Sequence, residues 1–188
     1  MRLPVLFLFL LIGRICFGQT NQKATALDID SLISARTLAV LGKSFPSFIA
    51  TDKGTKVSNE LLNGKVVLIN FWFEGCHPCM KEMPMLVSLY NKLKNTNGFL
   101  FLSFTWDNKD AIQRVNDKFG IDFKILSVSY DDCHQLNFKN GYPTTFVLDK
   151  QGNIKFAHGG FLDVSADIKG DVHEYLESKL LNEVKSLL

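Results

Sequence analysis

Cys76-His77-Pro78-Cys79 follows almost directly on the apolar run Val66-Val67-Leu68-Ile69-Asn70-Phe71-Trp72-Phe73, and this pairing restricts the fold more than any other feature of the chain. Thiols at this spacing close a disulfide only where the backbone turns tightly. A strand-to-helix junction supplies that turn and aims unpaired helix-terminal N–H groups at the first sulfur. The sequence therefore predicts a strand–turn–helix unit with a redox switch at its joint.

A thiolate, not a thiol, attacks a disulfide, and a helix N-terminus favours the anion. This makes Cys76 the expected nucleophile. Cys79, one turn further in and more buried, is expected to attack the mixed disulfide on Cys76 and release the reduced partner. Half of a zinc site and incidental core packing are the alternatives. A zinc site needs two further ligands, and only the adjacent pair Cys133-His134 is on offer.

The segment Asn70–Cys79 resembles the active-site stretch of thioredoxin-fold proteins. With Gly64–Trp72 and Lys81-Glu82-Met83-Pro84 it is similar to the TlpA/ResA branch of extracytoplasmic thiol-disulfide oxidoreductases, relatives of the AhpC/TSA redoxins. The likeness runs from about Gly42 to about Phe161. A second motif, Gly141-Tyr142-Pro143-Thr144-Thr145-Phe146-Val147-Leu148-Asp149, resembles the cis-proline loop of that fold. The resemblance implies a cis Tyr142–Pro143 bond beside the dithiol, with neighbouring backbone left to pair with an extended substrate. An ordinary proline ahead of a strand is the alternative.

Asn70 stands where thioredoxin has a buried aspartate, and an amide cannot exchange a proton with Cys79. Glu82, one helical turn beyond Cys79, matches a glutamate of the TlpA/ResA branch and is expected to accept that proton, unless it is merely an exposed helix glutamate. His77 and Pro78 lie inside the motif and are expected to tune its potential, with Trp72 and Tyr142 as flanking positions; a solvent-exposed, inert His77 is the alternative. Gly75 replaces a thioredoxin tryptophan, which implies a more open approach to Cys76.

Residues 1–18 read as an export signal, with Arg2 ahead of an apolar run and Cys16-Phe17-Gly18 before a cut at Gln19; an uncleaved anchor facing the periplasm is the alternative. Arg2 and Arg14 are the only charges removed with it, leaving 19 basic against 19 acidic residues. Such a near-neutral chain with interspersed charges gives no electrostatic footprint for nucleic acid. Export allows disulfides to persist, and Cys76, Cys79 and Cys133 then make one active pair plus a spare thiol. Cys133, after Asp131-Asp132, is expected to be a partly buried bystander whose acidic neighbours oppose a thiolate; a regulatory thiol is the alternative.

A chain of 188 residues, 46% hydrophobic with 16 Phe, suits one core. Residues 19–41 form a lead segment in which Leu27, Leu32, Ile33 and Leu38 follow a helical pattern, and 42–188 the thioredoxin-like α/β domain. Asp52-Lys53-Gly54 marks an N-terminal hairpin between Phe48–Thr51 and Lys56-Val57, and Ser58 caps a short helix ending at Gly64. Strand Val66–Phe73 leads into the dithiol helix, which Pro84 should kink. Phe99–Thr105, an amphipathic helix Lys109–Phe119 and Ile125–Val128 make an inserted βαβ step. A closing hairpin joins Thr145–Leu148 to Ile154–Ala157, and Val172–Leu188 reads as a terminal helix. The product is a mixed central β-sheet flanked by helices.

The leading function is reduction of protein disulfides outside the cytoplasm, with analogy to the family supplying cytochrome c maturation and a membrane thiol donor. No cofactor and no metal is called for. A peroxidase is the second reading, supported by the lead-in Gly42–Phe48 but lacking a Thr and an Arg near Cys76 in sequence. A metal-handling or binding module using Cys76, Cys79 and His158 is the third.

Overall fold

The computed structural model describes Ala35, residues 37–159 and residues 172–188. The export signal and Leu27, Leu32 and Ile33 lie outside these residues. Seven strands form one sheet in the order β2-β1-β5-β4-β3-β6-β7. In chain order they are β1 (Ile49–Asp52), β2 (Thr55–Ser58), β3 (Val66–Phe71), β4 (Phe99–Thr105), β5 (Lys124–Ser127), β6 (Thr144–Leu148) and β7 (Ile154–Gly159). The helices are α1 (His77–Leu93), α2 (Lys109–Phe119), α3 (Tyr130–Leu136) and α4 (Val172–Leu187).

The hairpin, the βαβ insertion and the closing hairpin all form. Between β1 and β2 the turn places Lys53 at φ 48° and Gly54 at φ 88°, the two positive values that a two-residue hairpin turn following the strand twist requires. Ser58 caps a 3₁₀ turn over Asn59–Leu62. Helix α2 has the predicted limits: Asn108 Oδ1 accepts from the Ala111 N–H, and Gly120 stops the helix in the left-handed region. Ala111 and Val115 are buried beneath it, and Ile112 and Phe119 pack at the edge.

β3 is buried along its whole length because both faces are covered, as its unbroken apolar run requires. Val66 and Leu68 face α1 and α4, with Trp72 continuing that side. Val67, Ile69 and Phe71 face the opposite layer, where Phe45, Phe104 and Phe146 pack around Phe71 and Phe48 packs on Phe45 and Phe104. β3 runs parallel to β4 and antiparallel to β6, which puts Phe71 opposite Thr144. The end of β3, the end of β4 and the start of β6 therefore meet at one end of the sheet.

Helix α1 continues through Pro84, which sits on its exposed side. Leu38, on the helical pattern of the lead segment, is exposed, whereas Thr37 and Val40 are buried. α3 has no counterpart in the sequence reading: Ser129 caps it by accepting from the Asp132 N–H.

The chain enters at the β3–β6 end, where Thr37 Oγ1 lies so close to Gly159 that a Cβ there would come within 3.1 Å of it. It then crosses to the far end, where Gly42 N–H donates to Ile154 O and Phe45 N–H to Gly152 O. The C-terminal residue is at that far end too, with Lys150 Nζ donating to Leu188 O.

Candidate active site

Cys76 is the N-cap of α1, and its sulfur accepts from the Cys79 N–H at 3.2 Å. Pro78 occupies the first turn, where a missing N–H costs nothing. The two cysteines are joined as a disulfide with Cα atoms 5.2 Å apart. Cys76 keeps 5% of its surface exposed and Cys79 1%, so the first cysteine is the more open of the two. Two polar anchors hold the approach: Cys76 N–H donates to Phe73 O, and Glu74 N–H donates to Asp107 Oδ2.

Glu82 is buried, contrary to the exposed-helix alternative. Its Oε1 lies 3.7 Å from His158 Nε2, and its Oε2 takes no hydrogen-bond partner among the described residues. His158 stands opposite Thr145 across β6–β7, Thr145 opposite Asn70, and Asn70 opposite Ser103. Directly opposed residues share a sheet face, so these four form one polar row across four strands on the side of α1. Asn70 Nδ2 donates to Thr145 Oγ1 at 3.0 Å, and Trp72 Nε1 donates to Ser103 Oγ. Sequence reasoning named Asn70, Glu82 and, as a candidate metal-handling residue, His158, but not the row. Its signal was Asn70, the lone polar residue in the otherwise apolar β3.

His77 is exposed. Trp72 is fully buried, in the same core cluster as Cys76 and Cys79. The Tyr142–Pro143 bond is cis, in the loop that starts β6 beside the end of β3. Tyr142 packs edge-on to Phe73 and Trp106. The Phe73 ring also reaches 3.4 Å from where a Gly75 side chain would begin, so it partly fills the space that the missing tryptophan opens.

Cys133 is fully rather than partly buried, and burial, more than its acidic neighbours, pushes its thiol up to about 12. Burial also raises the Tyr142 phenol, which faces Cys133. Arg114, distant in sequence, reaches the active-site loop through two bonds to Glu74, at 2.7 and 2.6 Å. That pair holds the Glu74 carboxyl below its ordinary range.

A match to the AhpC/TSA family covers residues 41–157, more than half of the chain. The chain belongs to the AhpC/TSA family. Within reach of that family it is similar to the thiol-disulfide oxidoreductase ResA of Geobacillus kaustophilus, 29% identical over 149 residues that make up 79% of this chain and 83% of the relative. The ResA of Bacillus thuringiensis is 34% identical over 116 residues, 61% of this chain and 66% of the relative. A Chlorobium tepidum structure described as a thiol:disulfide interchange protein of the DsbE type superposes with a TM-score of 0.63 at 23% identity, covering 77% of this chain and 97% of the other. The fold is thioredoxin-like, as the sequence led one to expect. Thiol-disulfide exchange is the chemistry of this family member, and Cys76–Cys79 is its redox pair.

Proposed function

We propose that the protein is an exported reductase of protein disulfides. In the reduced enzyme the Cys76 thiolate attacks a partner disulfide, forming a mixed disulfide and expelling one partner thiolate. Cys79 then attacks the Cys76 sulfur, the second partner thiolate leaves, and the Cys76–Cys79 disulfide remains. Two electrons pass to the partner, and an incoming dithiol from a membrane donor restores the pair. Glu82 accepts the Cys79 proton through the oxygen that has no other partner among the described residues, while His158 holds the carboxylate from its other side.

The observation that carries this reading is the disulfide at the N-terminus of α1, with Cys76 its more exposed residue. Residues 1–18 serve as the export signal or, uncleaved, as an anchor, and 19–41 as a lead to the domain at 42–188. Among the described residues no helix is long and apolar enough to cross a membrane. Maturation of c-type cytochromes is the process in which a periplasmic reductase of this kind would act. His77 and Pro78 set the potential, and Tyr142 and Pro143 position the partner.

The midpoint potential of the Cys76–Cys79 couple tests the direction of electron flow. A value near about −250 mV or lower fits a reductase with a dedicated donor, whereas one near about −120 mV would make the protein an oxidant. A peroxidase reading draws on the arginine brought to the loop. Arg114 is committed to Glu74 by both of its bonds, however, and is not free to polarise a peroxide.

A further inference from the structure

Five aromatic rings gather at the end of the sheet that carries the dithiol, each from a different turn or the helix above it. Phe73 follows β3, Trp106 follows β4, Tyr130 and His134 come from α3 beyond β5, and Tyr142 precedes β6. They form a continuous chain of ring contacts: Phe73 to Trp106 at 4.6 Å, Trp106 to Tyr142 at 4.8 Å, Trp106 to Tyr130 at 5.1 Å, and Tyr130 to His134 at 5.8 Å. All keep part of their surface in solvent, and Tyr130 is 55% exposed. The shelf starts at the dithiol, since Phe73 touches the space over Gly75 and accepts the Cys76 N–H on its backbone oxygen.

Its rim is acidic. Asp107 lies one residue beyond Trp106, and Asp131 and Asp132 open α3 beside Tyr130. Asp107 and Asp132 both bear electrostatically on Cys133 beneath the shelf, so they face the same cluster as the rings. Among the described residues none of the three carboxylates is in an ion pair; their bonds are to the Glu74 N–H and to Ser129. Asp107 also lies within electrostatic reach of Arg114, whose guanidinium is bonded to Glu74, so Asp131 and Asp132 are the carboxylates with no such cation beside them among the described residues. Aromatic faces bordered by these carboxylates suit a guanidinium or ammonium group, which gains from the ring quadrupole and from the charge.

We propose that this shelf receives an arginine or lysine side chain of the disulfide-bearing partner, carried on an extended segment a few residues from the cysteine that Cys76 attacks. The inference rests on the reductase reading and names its substrate preference. An apolar segment is the competing occupant, and the carboxylate rim speaks against it, because desolvating those charges under an apolar side chain is unfavourable.

Single-turnover reduction by the pre-reduced protein tests the proposal, using disulfide-bridged peptides that differ only in an Arg, Phe, Ala or Glu placed two to four residues from the cysteine. A small aromatic disulfide serves as the redox control. The Arg peptide is expected to react about tenfold faster than the Glu peptide at low salt, in line with a cation–aromatic contact near carboxylates. The Arg-to-Glu ratio, read within each variant, should collapse in Trp106→Ala, survive in Trp106→Phe, and shrink in Tyr130→Ala and in Asp131→Asn/Asp132→Asn. Equal rates for Arg and Glu peptides, or a preference for Phe over Arg, would overturn the cationic shelf while the control still turned over. Loss of the control reaction itself would overturn the reductase reading and the shelf with it.

Discussion

His158 on β7 sits 3.7 Å from Glu82 on α1, so the buried carboxylate under the dithiol helix is held by an imidazole from the sheet. Neither residue is near the other in sequence. The register of β6 against β7 puts His158 at the end of a polar row that starts at Ser103, and the packing of α1 on that face brings Glu82 to it. If Glu82 takes the proton of Cys79, Glu82→Gln should slow resolution of the mixed disulfide by about 10²-fold, the lower range for a positioned proton acceptor. His158→Gln should give a smaller loss, since the imidazole acts on Glu82 rather than on the thiol. Stopped-flow measurement of resolution checks both, and unchanged rates in both would remove the carboxylate from the mechanism.

The two cysteines should fail in different ways. Cys76→Ser is expected to abolish reaction with disulfides, whereas Cys79→Ser should stall at the first step and accumulate a partner bound through Cys76. Non-reducing gels and intact-mass spectrometry distinguish the two, and a stable adduct on Cys79 in the Cys76→Ser protein would reverse the assignment.

Cys133 should leave a mark on stability in alkali. Its thiol is pushed from an ordinary value of 9.0 to about 12 in the folded protein, chiefly by burial. Above about pH 9 the unfolded chain releases this proton while the folded chain keeps it. The unfolded state then binds fewer protons, and stability falls as pH rises, by at most about 1.4 kcal/mol per pH unit. Tyr142, also raised, adds to the slope above pH 10. Urea midpoints at pH 8.0 and 10.0 should therefore converge for Cys133→Ala and separate for the parent. In the folded protein at pH 8 the same thiol should resist iodoacetamide.

Asn70→Asp should destabilise the fold by about 1–3 kcal/mol at pH 8, because it replaces an amide donor aimed at Thr145 Oγ1 and the Thr144 carbonyl with a buried carboxylate. Burial raises the new acid above its unfolded value, so the folded state favours the neutral form and the loss grows as pH rises through that range. A denaturation series from pH 4 to 8 checks it; equal stability throughout would mean that the amide bonds contribute nothing.

Local chemistry made much of this readable in advance. The joint after β3 is legible because the CxxC spacing demands a tight turn, and α2 because its cap, apolar face and terminal glycine agree. Helix α3 was missed because seven residues give too little periodicity, although Ser129 and Asp132 form a capping signal. The Cys133 environment was half legible: acidic neighbours are visible in sequence, but the larger effect is burial, which depends on what α3 packs against. Partners such as His158 for Glu82 and Arg114 for Glu74 depend on strand register and helix placement, which no local pattern encodes.

Thr37 lies beside Gly159 and Thr144 at the dithiol end, whereas Leu188 meets Lys150 at the opposite pole. The molecule thus has a crowded handle and a clear one. Thr37 stands next to the face where a partner must dock, while a surface or fusion joined at Leu188 leaves Cys76 pointing outward. Immobilised by its C-terminus, the protein presents its redox face to solution.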